Sequence, residues 1–492
     1  MSDLRHSVAR TLKWNIIDRV ATQVLYAVTG IVLARMLSQE DFGLVGAILV
    51  FQAFAQLFVD SGFSSALIQR KNPDDTDYST VFWFNLGTAV ALYALLWILA
   101  PWIASLFQGD TRLVPLSRMM FLSFIVNAAS IVQANRLMKR MDVKMIAVSN
   151  SIGLTAAGVV GIWLAVTGFG AWAIVWQTIT HGAVKGAVLW STGGWVPRLC
   201  FSVKRLKGFF AVGSGVMGSS FLNTLFQNIY SFLIGNRVGL AALGFFTQAD
   251  KWSKMGVMSL SQVLTSSFLP VLSKFQDDPG QFASATAKMN RLTAYLLFPA
   301  MGFLAVMAEP IFHALFGSKW DPSISLFRIL LLRGVFTVLT LVYSNYILAL
   351  GRSRLLVWAE ALRDGVAIAA IAVTLPWIGL SPAADVTEGL RIFLWGQVAA
   401  SAVAWGATLI LTTRLIPRRT TDFLADLVPY VAQTAVVMAA MTVPAIYVGN
   451  AWMLLVLQSV VGAGLYIGTN AVLGSRIQRD ALDYLLKRST QP

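Results

Sequence analysis

A long uncharged stretch decides the fold class of this chain: residues 79–107 read STVFWFNLGTAVALYALLWILAPWIASLF. A helix needs roughly 20 apolar residues to cross the hydrocarbon core of a bilayer, so this stretch is long enough to span a membrane. Similar stretches recur along the chain and predict an all-α, polytopic membrane protein with about fourteen transmembrane helices. The predicted spans are 12–37, 42–68, 79–107, 115–138, 146–167, 170–192, 209–236, 244–272, 291–316, 323–350, 354–378, 389–413, 427–448 and 451–474.

The composition supports a membrane location and argues against several soluble classes. Of the 492 residues, 57% are hydrophobic and 12% are charged, whereas soluble domains carry about 25% charged residues. The net charge of +15 falls mainly in predicted loops that would face anionic headgroups, so nucleic-acid binding is not expected. Cys200 is the only cysteine and the three histidines lack metal-ligand spacing, so we expect no disulfide, metal site or cofactor.

Positive charges alternate between the gaps that separate the predicted spans. Of the 38 Lys and Arg residues, 26 lie in or near gaps on the side of the N-terminus and seven lie in or near gaps on the opposite side. Cytoplasmic loops carry the excess of Lys and Arg, so this split predicts that both termini are cytoplasmic. The apolar run after the basic residues 1–13 is too long for a signal peptide, and we interpret it as a retained first span.

The spans are predicted to form two six-helix lobes. Residues 193–208 carry a basic run and are interpreted as an interfacial linker. The linker separates an N-lobe at 1–192 from a C-lobe at 209–415, and two further spans with a cytoplasmic tail occupy 416–492.

A weak internal repeat supports this division. Residues 33–37 with Gly43 align with residues 234–238 with Gly244 at an offset of 201. Each segment ends the first span of its half and opens the second. Two halves in parallel orientation are a common plan for transporters.

Five basic side chains lie inside predicted spans, where ionisable groups are costly and usually face a cavity or a partner. Three of them, Lys254, Arg333 and Arg363, lie about 13–17 Å from the ends of their spans at a rise of about 1.5 Å per residue. A cationic site near the bilayer midplane predicts an anionic substrate, such as a diphosphate or an acidic sugar. The candidate substrate-binding residues are Arg19, Lys251, Lys254, Arg333 and Arg363.

Polar residues form stripes on the first two spans of each predicted half and suggest a shared water-filled cavity. Gln52, Gln56 and Asp60 recur every four residues on the second span. The other stripes comprise Asn15, Arg19, Thr22 and Tyr26 on span 1, Asn223, Gln227 and Ser231 on span 7, and Asp250 and Lys254 on span 8. Asp60, Asp18 and Asp364 are the candidates for coupling transport to a proton or sodium ion.

A purely structural role remains an alternative for the charged pairs. Asp250 with Lys254, and Glu360 with Arg363, have the spacing of salt bridges within one helix, which reduce the cost of burying charge. The segment 213–218 fits the G-x-G-x-x-G pattern, but it opens a predicted membrane helix without a preceding strand, so helix packing is favoured over dinucleotide binding.

Several segments resemble the Wzx-type oligosaccharide flippases, in particular the colanic-acid and succinoglycan exporter branch of the polysaccharide transporters. The resemblance covers roughly residues 8–415. The segments that carry it are LARMLSQEDFG at 33–43, DSGFSSALIQRK at 60–71, STVFW at 79–83, GFF at 244–246 and FLP at 268–270.

The resemblance implies the multidrug/oligosaccharidyl-lipid/polysaccharide exporter fold, in which two six-helix lobes enclose a cationic cavity and two extra helices follow. It also implies an undecaprenyl-diphosphate-linked oligosaccharide as the substrate, moved from the cytoplasmic to the periplasmic leaflet of the bacterial inner membrane for exopolysaccharide assembly. A polysaccharide polymerase and export machinery would then be the expected partners, beside the lipid-linked substrate and membrane lipids.

The function predicted from the sequence is therefore a flippase that works by alternating access and is not an enzyme. Two alternatives remain. A small-molecule or drug antiporter of the same fold should have a more acidic and aromatic cavity. A polysaccharide polymerase or ligase should carry a long outer loop with catalytic side chains, whereas the longest predicted outer segment here has about ten residues.

Overall fold

The structure is a computed structural model that describes residues 2–60, 62–378 and 387–479. Helices joined by short turns make up these ranges, and no strand occurs within them. Residues 480–492 of the predicted cytoplasmic tail lie outside the described residues. The helices are α1 (Ser2–Met36), α2 (Gln39–Asp60), α3 (Phe63–Gln69), α4 (Asp75–Leu106), α5 (Leu113–Phe121), α6 (Ser123–Lys139), α7 (Val143–Val166), α8 (Trp172–Gly193), α9 (Val203–Arg237), α10 (Leu240–Leu272), α11 (Pro279–Val306), α12 (Ala308–Leu315), α13 (Asp321–Ala349), α14 (Ser353–Thr374), α15 (Glu388–Leu415), α16 (Thr420–Thr442), α17 (Pro444–Tyr447) and α18 (Ala451–Val472).

The all-α polytopic fold is confirmed, but the number of fourteen spans is not. Within the described ranges, eleven helical segments are long and apolar enough to cross a membrane, and a bent pair within α9 raises the number to twelve. α8 and α14 are not among them. Both helices carry charged residues in their interiors. These are Lys185 in α8 and Arg363 with Asp364 in α14.

Side-chain caps set where several helices begin, because the first backbone N–H groups of a helix lack partners within it. The Asp74 carboxylate accepts a hydrogen bond from the Asp77 N–H at 2.8 Å, and the Asp77 carboxylate accepts one from the Asp74 N–H. The side chains of Asp278 and Asn450 cap α11 and α18 by accepting hydrogen bonds from backbone N–H groups of the first turn. The acidic residues that precede the predicted third span are therefore a helix cap.

The chain forms two compact units, Met1–Thr247 and Gln248–Pro492. The first unit contains the linker, α9 and the first residues of α10 together with α1–α8. The division of the chain into lobes at 1–192 and 209–415 stays a prediction.

Small residues allow the helices of the first unit to pack closely. A side-chain carbon added at Gly153 in α7 would lie 3.0 Å from the carbonyl oxygen of His181 in α8, and one at Gly161 would lie 3.1 Å from Gln177. Gly158 in α7 packs against Thr29 of α1. These contacts place α7 against both α1 and α8, as expected for helices that associate in a bilayer through small residues.

The linker is docked on the ends of α4 and α6 by hydrogen bonds to its backbone. The Trp83 indole donates to the Arg198 carbonyl at 2.8 Å, and the Arg198 N–H donates to the Ser79 hydroxyl at 3.0 Å. Gln133 of α6 donates to the carbonyl of Trp195 at 2.8 Å, and the Trp195 ring is buried. The linker therefore belongs to the packed part of the first unit.

Ion pairs at the start of α4 hold the end of the linker. Arg205 contacts the carboxylates of both Asp74 and Asp77, the latter at 2.9 Å, and Arg70 reaches Asp77 at 3.1 Å. The hydrogen bond from Arg205 is the main reason why the pKa of Asp74 is lowered. The basic run of the linker thus has acidic partners that the chain itself supplies.

The starts of α2 and α10 cross each other, and the internal repeat relates the two sides of this contact. A methyl group at Gly43 would overlap the carbonyl oxygen of Leu240, and one at Gly244 would overlap the carbonyl oxygen of Gln39. Each contact maps onto the other by the same offset of 201 residues. Glycine is needed at both positions because only a residue without a side chain allows two helix backbones to approach so closely.

Helix pairs of the second unit also meet at glycines and at buried aromatic residues. Gly334 of α13 faces Val257 of α10, and Gly396 of α15 faces Thr374 of α14. The Tyr343 hydroxyl in α13 donates to Asn290 of α11 at 3.1 Å. These contacts hold α13 between α10 and α11 and fix the orientation of its polar face.

Candidate functional site

Three helices of the second unit bring charged side chains into one cluster. Lys254 and Asp250, four residues apart on α10, form an ion pair with an N–O distance of 2.6 Å. Arg333 of α13 lies 3.5 Å from the other carboxylate oxygen of Asp250. It also donates a hydrogen bond to the side-chain amide oxygen of Gln397 in α15 at 2.7 Å. We call Asp250, Lys254, Arg333 and Gln397 the cationic cluster.

The cationic cluster lies well inside its helices and keeps a net positive charge. Arg333 is about 18 Å along α13 from its first residue at about 1.5 Å per residue, and its side chain is 23% exposed. One carboxylate, Asp250, faces two cations, so a salt bridge that merely reduces the cost of burial accounts for only one of them. The excess positive charge gives the cluster the capacity to bind an anion.

The other predicted cations do not share the contacts of this cluster. Lys251 is exposed on α10, and its ammonium lies 5.5 Å from the centre of the neighbouring Trp252 ring. Arg363 pairs with the adjacent Asp364 on α14 at 2.9 Å, rather than forming the pair with Glu360 that the spacing suggested. Arg19 is exposed on α1 of the first unit.

Asp18, a predicted coupling residue, belongs to a polar network that joins α1, α7 and α8. Its carboxylate accepts hydrogen bonds from Thr22 at 3.4 Å and from the Asn150 amide of α7 at 3.2 Å. The oxygen of that amide lies 3.2 Å from Nε2 of His181 in α8. We call Asp18, Thr22, Asn150 and His181 the acidic network, since its only formal charge is negative when the imidazole is neutral.

Asp60, the second coupling candidate, lies at the end of α2 and has its own partners. Its carboxylate accepts a hydrogen bond from Ser64 of α3, and the Ser64 hydroxyl in turn accepts one from Asn135 of α6 at 2.8 Å. Asp60 is therefore tied to α3 and α6, and within the described residues its hydrogen-bond partners differ from those of Asp18.

The predicted polar stripes are present on the helices but face different surroundings. Gln52 donates to the buried Ser123 of α6 at 3.2 Å, so it packs within the first unit, and Gln56 is half-buried on the same helix. Asn223 and Gln227 are exposed on α9 and bonded to each other at 3.1 Å. Asn15 is exposed on α1. A single cavity lined by all these residues stays a prediction.

Sequence reasoning missed three residues that complete these sites: Gln397, Asn150 and His181. Each is a polar side chain within an apolar span, and this signal was available for all three. Gln397 is the only amide side chain in α15, and it is almost fully buried. The predicted polar stripes cover only spans 1, 2, 7 and 8, and the histidines were predicted only not to be metal ligands.

Comparison with known proteins identifies the family. The sequence profile of a family described as "Polysaccharide biosynthesis protein" matches residues 32–325, which is more than half of the chain. This protein belongs to that family. The match agrees with the resemblance to Wzx-type polysaccharide transporters and confirms it.

Curated relatives of this polysaccharide biosynthesis protein are named for the synthesis of bacterial polysaccharides, and one of the names includes transport. The chain is 26% identical over 367 residues to the succinoglycan biosynthesis transport protein ExoT of Rhizobium meliloti (strain 1021), covering 74% of each chain. It is 28% identical over 360 residues to the teichuronic acid biosynthesis protein TuaB of Bacillus subtilis (strain 168), covering 72% of this chain and 74% of TuaB. The comparisons thus group it with membrane transport proteins rather than with enzymes.

A solved structure shares the fold. The lipid II flippase MurJ in an inward closed conformation matches with a TM-score of 0.73 over 95% of this chain and 100% of that chain, at 14% sequence identity. At this identity the likeness shows the fold alone. Together with the apolar helices, it establishes a multi-pass membrane protein of the exporter fold that the sequence implied.

Proposed function

We propose that this protein flips a polyprenyl-diphosphate-linked oligosaccharide repeat unit from the cytoplasmic to the periplasmic leaflet of the bacterial inner membrane, for exopolysaccharide assembly. The observation that carries the proposal is the cationic cluster, in which two cations share one carboxylate in the interior of a transporter of a polysaccharide biosynthesis family. A diphosphate or an acidic sugar is the kind of group that such a cluster binds.

In the proposed mechanism, Arg333 and Lys254 bind the anionic headgroup while Asp250 and Gln397 orient them. Arg333 presents a planar fork of donors that suits phosphate oxygens, and Gln397 occupies one of its nitrogens and fixes its direction. Arg19, Lys251 and Arg363 would contact the sugar or diphosphate at other steps of the transport cycle. Asn15, Gln52, Gln56, Asn223 and Gln227 would line the path.

The acidic network is the proposed site of ion coupling. Protonation of Asp18 would remove the negative charge that strengthens its hydrogen bonds from Asn150 and Thr22, and this would weaken the contact of α1 with α7. Asp60 and Asp364 are the other candidates for this role. Alternating access would then require the crossing of α2 and α10 at Gly43 and Gly244 to separate during each cycle.

The decisive experiment measures flipping in reconstituted vesicles. A lipid-linked oligosaccharide is placed in one leaflet, and its headgroup is followed with a membrane-impermeant reagent. Wild-type protein should make the headgroup accessible from the opposite side. Transport of a hydrophobic cation in place of the lipid would favour the drug antiporter instead.

Two variants distinguish binding from a structural salt bridge. Asp250→Asn removes the shared carboxylate and leaves both cations, so headgroup binding should persist, whereas Arg333→Ala should abolish it. Equal loss with both variants, in step with loss of thermal stability, would assign the cluster a structural role only.

In cells, deletion should stop polymer export and leave lipid-linked repeat units in the inner leaflet. Accumulation in the outer leaflet would instead favour a polymerase. Reporter fusions at each end should report cytoplasmic termini, as the distribution of Lys and Arg predicts.

A further inference from the structure

A cavity lies in the second unit and shares no residue with the cationic cluster. It has a volume of about 960 Å³, near the upper end of the roughly 300–1,000 Å³ found for small-molecule sites. Four helices build it: α10 and α18 contribute their ends, α11 its first half and α16 its middle. We call it the helix-end pocket.

The helix-end pocket combines a basic rim with an apolar wall. Lys288, Arg291 and Arg476 are exposed around it. Its described acidic neighbour is Asp426, which Arg418 holds at 2.9 Å and Arg291 approaches only to 3.8 Å. Among the described residues, three cations of the rim thus face one carboxylate, which Arg418 already binds.

The apolar wall continues outward from the pocket towards the membrane. Phe268 and Met289 are buried inside it, whereas Val271 and Leu473 at its edge are 41% and 76% exposed. Both exposed residues lie at the ends of apolar helices, α10 and α18. The wall therefore suits a hydrocarbon chain that passes from the bilayer into the pocket.

Local sequence builds both halves of the pocket. On α11, Gln281, Ser284, Lys288 and Arg291 follow at intervals of three or four residues and so share one helix face. After α18, Gly474 adopts a positive φ of 66° and turns the chain back. This turn lets the next residues line the pocket, Arg476 on the rim and the buried Ile477 on the wall.

We propose that the helix-end pocket binds an anionic phospholipid of the inner leaflet, with its phosphate against Lys288, Arg291 and Arg476 and an acyl chain along the apolar wall. The helix ends that form the pocket lie on the predicted cytoplasmic side, where basic pockets between membrane helices bind anionic headgroups. A free phosphate would use the rim alone and leave the apolar wall without a role. The proposal does not depend on which substrate is flipped.

The test uses purified full-length protein in a neutral detergent, titrated with phosphatidylglycerol and followed by native mass spectrometry. Phosphatidylcholine is the zwitterionic reference and should bind more weakly. The variant Lys288→Ala with Arg476→Ala should weaken phosphatidylglycerol binding about 25-fold, since a basic residue near an anionic lipid surface contributes about fivefold in affinity.

The matched control is Lys204→Ala with Lys207→Ala, which removes two exposed charges from the same predicted side outside the pocket. Its affinity should change less than about twofold. A second variant, Ala285→Trp, fills the pocket without changing its charge and should also abolish tight binding, with monodispersity on gel filtration as the check on folding.

Three results would overturn the proposal. These are equal losses in the pocket and control variants, tight binding retained by Ala285→Trp, or displacement of phosphatidylglycerol by an equimolar polyprenyl diphosphate. The last result would assign the pocket to the substrate. Because flipping is measured separately, either idea can fail while the other stands.

Discussion

The two units differ in how they surround the carboxylates inside their helices, although Lys185 of α8 also interacts electrostatically with Asp18 in the first unit. In Met1–Thr247 the acidic network is centred on a carboxylate, Asp18, whose partners are neutral hydrogen-bonding groups. In Gln248–Pro492 the cationic cluster has two cations around one carboxylate. In the proposed function, the first unit would respond to a small cation and the second unit would bind the anionic substrate.

The contrast matters because the internal repeat is preserved elsewhere in the chain. Gly43 and Gly244 make equivalent contacts at positions related by the repeat. The repeat thus preserves helix packing, whereas the charged side chains have diverged. Such divergence is expected if packing supports the fold and charge sets the function.

The largest expected effect comes from removing the cations of the second unit. Arg333→Ala combined with Lys254→Ala should reduce flipping at least about tenfold, because a charge-assisted hydrogen bond contributes about 1.5–3 kcal/mol. Arg328→Ala is the matched control, since Arg328 lies on the same helix but is exposed and bonded to a backbone carbonyl. Polymer export that stays normal in the double variant, at equal protein level, would refute an anion site here.

The next effect concerns the acidic network. Asp18→Asn keeps a hydrogen-bond acceptor but cannot titrate, so flipping driven by an ion gradient should fall to the rate without a gradient. His181→Gln retains a donor to Asn150 and should leave the response to the gradient intact if Asp18 is the coupling group. Rates are measured in vesicles with and without a proton or sodium gradient. A wild-type gradient response in Asp18→Asn would transfer the role to Asp60 or Asp364.

A third prediction tests the two contacts that the internal repeat relates. Gly43→Ala and Gly244→Ala should each destabilise the protein by about 1–3 kcal/mol, because the added methyl groups would overlap backbone carbonyls. Equal losses in both variants would support equivalence of the two positions. Gly87→Ala is the control, since nothing lies within 4 Å of a side chain there. Thermal unfolding in detergent provides the measurement, and a large loss in the control would undermine the comparison.

The smallest effect is expected at the linker, where Arg205 pairs with Asp74 and Asp77 at the start of α4. Asp74→Asn should raise hydrogen exchange in the linker about fivefold at most, because an exposed ion pair contributes little to stability. Asp110→Asn breaks a similar exposed pair with Arg112 and should leave linker exchange unchanged.

The same contact predicts a pH dependence. Arg205 lowers the pKa of Asp74 below its ordinary value of about 3.9. The stabilisation is therefore complete above that value and is lost as the pH falls through the lowered pKa. Linker exchange, corrected for its intrinsic rate, should be constant between about pH 7 and 5. A rise within that range would show that another group controls docking.

Much of this outcome followed from local sequence. The apolar spans and the distribution of charge predicted an all-α membrane protein, because burial in a bilayer constrains every residue of a span. The i,i+4 spacing of Asp250 and Lys254 predicted their pairing, since such residues share one helix face. The count of fourteen spans is not confirmed, because α8 and α14 are not among the helices that are long and apolar enough to cross a membrane. Both of these helices carry charged residues.

By itself, the sequence determined the membrane class, the helices and the presence of cations inside them, because these depend on composition and on periodicity along one helix. Only the tertiary structure decided which residues meet: Arg333 with Asp250 and Gln397, and Asp18 with Asn150 beside His181. These partners are 31 to 132 positions apart. Their meeting depends on the relative rotation of packed helices, which spacing within a single helix does not specify.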